Sequence, residues 1–123
     1  MGIQIWLQHP KDATKKRRVG EVTADRTTNT FEVKRYNTLI LRNVWCPLHK
    51  KKGECPTLSI TESCIIDAQK KGATVVKFYV DFGESGKGTY VTSINTILQA
   101  TDGTDDWGLN QKQVQIHDLV KLD

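Results

Sequence analysis

Two hydrophobic periods meet in the middle of the chain. Ile60, Cys64, Ile65 and Ala68 recur at helical spacing, and beyond Gly72 apolar positions fall two residues apart. Ser59 and Glu62 have the spacing of a capping box, in which each side chain satisfies a free backbone donor of the first helical turn. Lys70 and Lys71 lie where the helix dipole favours cations, and Gly72 suits the left-handed turn that ends a helix. The pattern predicts a helix from Ser59 to Gly72 that returns as a strand. Val76, Phe78, Val80 and Phe82 alternate with Val75, Lys77, Tyr79 and Asp81 as a half-buried strand, with Val76, Phe78 and Val80 among the residues facing the helix.

The flanking segments are mostly strand-like. Ile3, Ile5 and Leu7 alternate with Gln4, Trp6 and Gln8, and His9-Pro10 closes that strand because proline removes a ladder donor. Lys11 to Arg18 reads as a loop. Val19–Ala24 and Thr30–Arg35 read as the arms of a hairpin, and Leu39–Val44 as a further strand. Cys46 to Thr57 holds two prolines and Gly53 and reads as a loop. Later come a glycine-rich turn over Gly83–Gly88 and a short strand at Tyr90–Thr92. Ser93 is placed to cap a short helix through Ile94, Ile97 and Leu98. Asp102–Gly108 reads as an acidic loop and Gln113–Val120 as a last strand. The sum is an α+β fold: a mostly antiparallel sheet with one main helix and one short helix packed on it, in a single domain.

Composition adds limits. The chain has 123 residues, 37% hydrophobic and 26% charged, and no apolar run of membrane-spanning length. Its first residues are too polar for a secretion signal, and three cysteines cannot all pair, so reduced thiols in a cytoplasmic protein are expected. The net charge of +4 is unevenly spread. Residues 1–52 carry twelve Lys/Arg against four Asp/Glu, whereas residues 101–123 carry two against five. Such ends can attract each other within a chain or between copies, which leaves a homo-oligomer open.

Three constellations bear on chemistry. Gly83-Glu-Ser-Gly-Lys-Gly-Thr89 resembles a phosphate-binding loop, but Asp81 stands at the first glycine position and Gly88 where the hydroxyl residue should follow Lys87. A glycine-rich hairpin turn explains it better. Cys46, His49 and Cys55 are thiol and imidazole groups of the kind that hold a structural zinc, with Cys64 or a water as fourth ligand. Their spacing matches no common zinc motif, and Cys64 also fits the apolar stripe of the helix. The third set is basic: Lys15, Lys16, Arg17, Arg18, Arg35, Arg42, Lys50, Lys51 and Lys52. Arginine forks and lysine charges suit phosphate oxygens, and Phe82 lies where it could stack beside the glycine-rich turn.

The order of a basic hairpin region, a lysine-rich loop, a helix ending Lys-Lys-Gly, an alternating strand and a late Asp106-Trp-Gly108 resembles small accessory proteins of phages and mobile elements. Among these are anti-defence sponges that sequester cyclic nucleotide signals, such as the anti-Thoeris sponges for cyclic ADP-ribose. The resemblance is one of size, order and composition, and it assigns no residue a role. It implies binding without catalysis. The sequence therefore leads to a non-enzymatic binding protein for a phosphate-bearing ligand, either a nucleotide-type small molecule or a nucleic-acid backbone. The alternatives are a protein-interaction module that inhibits a host enzyme and a zinc-stabilised nucleic-acid-binding domain.

Overall fold

The computed structural model describes residues 2–23, 29–33, 39–46, 51–80, 88–104 and 107–122, with residues 39–46, 51–57, 80 and 117 described by their backbone alone. The elements are β1 (Ile3–Gln8), β2 (Lys16–Val22), β3 (Thr30–Val33), β4 (Leu39–Cys46), β5 (Lys51–Thr61), α1 (Glu62–Lys70), β6 (Val75–Val80), β7 (Gly88–Ser93), α2 (Ile94–Leu98), β8 (Thr101–Thr104), β9 (Asn110–Gln115) and β10 (Val120–Lys121). The α+β class holds, with one main and one short helix. The strands form two sheets instead of the one expected. The larger runs β1-β2-β3-β6-β7-β10 and the smaller β4-β5-β9-β8. Among the described residues every strand pair is antiparallel except β3 with β6.

The helix–strand unit behaves as its pattern implies at one end and differently at the other. Gly72 takes φ +97°; its amide donates to the Gln69 carbonyl and that of Ala73 to the Ala68 carbonyl. This pair of bonds is the Schellman closure that satisfies carbonyls at a helix end. Val76 and Phe78 are fully buried on β6, as the alternation required. The start is a correction. Ser59 and Ile60 belong to β5, the helix begins at Glu62, and its N-cap Thr61 makes no side-chain cap bond. The supposed Cys46–Thr57 loop is also largely strand: β4 runs to Cys46 and β5 starts at Lys51. β5 keeps a strand's pairing past Ser59 because Leu58, Ser59, Ile60 and Thr61 each have a partner on β9.

Smaller departures follow the same cause, pairing that a local pattern does not carry. Lys16–Arg18 continue β2 against β1, Thr101–Thr104 pair with β9, and the expected last strand is broken by a 3-10 turn at Ile116–Asp118. α1 packs against β1 and β2 on one side and β5 and β9 on the other. It thus joins the inner faces of the two sheets through Cys64, Ile65 and Ala68. One apolar cluster results, drawing on Ile5, Phe31, Val76, Phe78 and Tyr90 from the larger sheet and Leu58, Ile60 and Val114 from the smaller. None of the described helices is long and apolar enough to cross a membrane.

Candidate functional site

The basic run begins at the turn between β1 and β2. His9 donates its amide to the Lys15 carbonyl, and Lys15 returns its amide to the Asp12 carbonyl. Asp12 is held in place by Thr14, whose hydroxyl and amide donate to its carboxylate at 2.6 and 3.1 Å. Those bonds, with a smaller contribution from His9, keep the Asp12 carboxyl below its ordinary pKa, so it stays ionised inside the turn. Lys11, Lys15 and Lys16 are exposed around it. Among the described residues none of these three lysines forms an ion pair.

Arg17 and Arg18 differ from these lysines because β2 is a strand. Arg17 lies opposite the buried Leu7, on the inner face, and Arg18 lies opposite the exposed Trp6, on the outer face. Arg17 places its guanidinium 4.4 Å from the centre of the Trp107 ring. His9 meets the same ring edge-on, with centroids 5.2 Å apart. Trp107 itself packs against the core. Arg17, Trp107 and His9 thus form a stacked plug at this end of the larger sheet, and a cation over an indole contributes about 0.5–2 kcal/mol. This grouping became visible only with the fold, since Arg17 and Trp107 lie far apart along the chain.

The remaining basic residues are placed elsewhere. Arg42 stands on β4 opposite Pro56, and Lys51 and Lys52 open β5, all on the smaller sheet. No strand pair links them to β1 or β2. The described basic residues are thus distributed over both sheets. Arg35, Lys50, Phe82 and the Gly83–Lys87 part of the glycine-rich turn lie outside the described residues.

The proposed zinc ligands are only partly described. Cys46 ends β4 opposite Lys51, and Cys55 lies on β5 opposite Val44, while His49 falls outside the described residues. Cys64 is buried in the core on α1. Among the described residues no three His, Cys, Asp or Glu side chains cluster as a metal site.

Two other features were not visible in the sequence. Lys112 on β9 is nearly buried and bonds Asp102 of β8 at 2.6 Å and Glu62 of α1 at 3.3 Å. The Asp102 bond, aided by Glu62, holds its ammonium above the ordinary lysine pKa, which makes it a permanent charge tying three elements. A concavity of about 220 Å³ lies between the end of α1 and the start of α2, lined by Gln69, Gly72, Ala73, Thr74, Ile94 and Asn95. It has no charged lining residue. No family model, curated protein or solved structure matches the chain.

Proposed function

We propose that the chain binds a phosphate-bearing ligand without catalysis, at the end of the larger sheet formed by the β1–β2 turn. The observation that carries this reading is the set of Lys11, Lys15 and Lys16, exposed and without a carboxylate partner among the described residues, beside the Arg17–Trp107–His9 stack. Lysines left unpaired on a braced turn can exchange counterions for phosphate oxygens. Their exposed, outward placement favours an extended polyanion of the nucleic-acid backbone type over an enclosed nucleotide. The described concavity of about 220 Å³ supports that preference, because nothing charged lines it.

The test is a charge reversal that spares the plug. Lys11→Glu, Lys15→Glu and Lys16→Glu together should weaken binding of random-sequence DNA or RNA by a hundredfold or more, in keeping with about 1.5–3 kcal/mol for each charged bond lost. The salt dependence of the parent should be steeper than that of the variant by about two to three in log–log slope. Melting temperature should barely change, since exposed charges contribute little to folding. Unaltered binding in the variant would end this reading. Absence of nucleic-acid binding with stabilisation by a nucleotide would favour a small ligand, and absence of both would favour a protein-interaction module.

A further inference from the structure

Among the described residues β1 forms one edge of the larger sheet, and its composition is unusual for an edge. Natural edge strands avoid unwanted pairing by charge, proline, shortness or a bulge of their own. β1 has six residues, Ile3-Gln-Ile-Trp-Leu-Gln8, with no charge and no proline. The register irregularity beside it places the extra residue, Val19, on β2, which leaves β1 regular. Ile3 is 48% and Trp6 55% exposed, two of the largest exposed apolar side chains described. The opposite edge, β10, has only two residues.

The charges behind β1 are arranged to match themselves. On the outer face, Lys16 and Arg18 stand beside Gln8 and Trp6, at one end of the strand; Glu21 stands beside Gln4 at the other, followed by Glu32 on β3. Trp6 and Gln4 share that face, since the indole N–H donates to the Gln4 side-chain Oε1 at 3.2 Å. The β1–β2 ribbon is therefore basic at one end and acidic at the other. A two-fold axis that pairs the strand antiparallel with its own copy brings the basic end of each against the acidic end of the other.

We infer that β1 pairs antiparallel with β1 of a second copy, with Ile5 opposite Ile5. This register keeps inner residues with inner and outer with outer, as a continuous sheet requires. It sets Ile3 against Leu7 and Gln4 against Trp6, with Gln8 against Gly2 just outside the strand. Arg18 of the second copy then falls in line with Glu21 across the two β1 strands, about 14 Å apart at the backbone, from three strand spacings of ~4.8 Å. Long side chains close much of that gap. An unrelated strand would need this same alternation of charge. The second copy has it by symmetry.

Of the lysines in the β1–β2 turn the interface draws on Lys16 alone, and it is tested without nucleic acid by variants that leave all three lysines in place. Sedimentation or light scattering of the purified chain should give twice the single-chain mass of 13.9 kDa. Trp6→Glu places a carboxylate in line with Glu21 of the second copy, across Gln4, and Ile3→Lys places an ammonium against Leu7. Both side chains are exposed in the single chain, so each variant should keep the parent's circular dichroism and weaken self-association at least tenfold. Amide exchange over residues 3–8 should slow with rising concentration in the parent only. A single-chain mass at up to roughly 100 μM, the range of weak pairing, would overturn the inference. So would a doubled mass that both variants leave intact.

Discussion

Ser59 shows how one residue can satisfy a local rule and be used for another purpose. Its spacing from Glu62 is that of a capping box, yet it sits on β5 opposite Gln113, 1% exposed. Its hydroxyl has no hydrogen-bond partner among the described residues. Ser93, read from the same kind of signal, does cap a helix, accepting the Thr96 amide at 3.1 Å. The two serines therefore predict opposite outcomes. Ser93→Ala should cost about 1 kcal/mol through loss of a cap. Ser59→Ala removes a buried hydroxyl with no bond to lose, so it should be neutral or slightly stabilising. Urea denaturation of both variants checks this, and a loss at Ser59 as large as at Ser93 would restore a bonding role to its hydroxyl.

The elements legible in the sequence are those whose evidence is local. Gly72 ends α1 because only a residue at ease with positive φ suits the Schellman turn, and β6 alternates because one face is core. The start of α1 was hidden because β5 runs into it without a break, and Ile60 serves a strand's inner face as well as a helical stripe. Likewise Lys16–Arg18 looked like a loop, since only pairing with β1 makes them a strand. Lys15 and Lys16 of the candidate site were legible by charge, but Lys11 and the division of the basic set between two sheets were not. The parallel β3–β6 pair joins segments far apart along the chain, and a polar tie crosses it. Tyr79 donates its hydroxyl to Glu32 at 3.0 Å, and Lys77 stands 3.9 Å from the same carboxylate. Burial first, and then Glu32, pushes the Tyr79 hydroxyl up from 10.0 to about 12. A folded-state pKa raised above the unfolded one stabilises fully below the unfolded value and is lost as pH rises through the folded one. Stability from this tie should thus fall between pH 10 and about 12. Tyr79→Phe should flatten that part of the stability–pH curve while changing little near neutrality beyond the lost bond. Ultraviolet titration should show one tyrosine ionising late in the parent and absent in the variant.

At the scale of the whole molecule, two sheets share one apolar cluster, and α1 bridges them, with α2 also reaching both through β7 and β9. Lys112 reinforces the same junction by tying β8 and β9 to the first turn of α1. A chain assembled this way should unfold as one unit, because neither sheet can keep its inner face dry once the helix leaves. The prediction compares a deep site in each sheet. Phe78 on β6 is fully buried, and Phe78→Ala should cost about 3–5 kcal/mol. Val114 on β9 is 7% exposed, and Val114→Ala should cost about 2 kcal/mol. Each substitution should move a single transition, with fluorescence and far-ultraviolet circular dichroism changing together and calorimetric and van't Hoff enthalpies agreeing. If Val114→Ala instead split the melting curve, leaving the larger sheet's transition at the parent temperature, the two sheets would be separate cooperative units. The basic turn would then belong to a part of the molecule able to stay folded alone, because its bracing comes from β1 and β2, with Trp107 as the contact that reaches toward the rest.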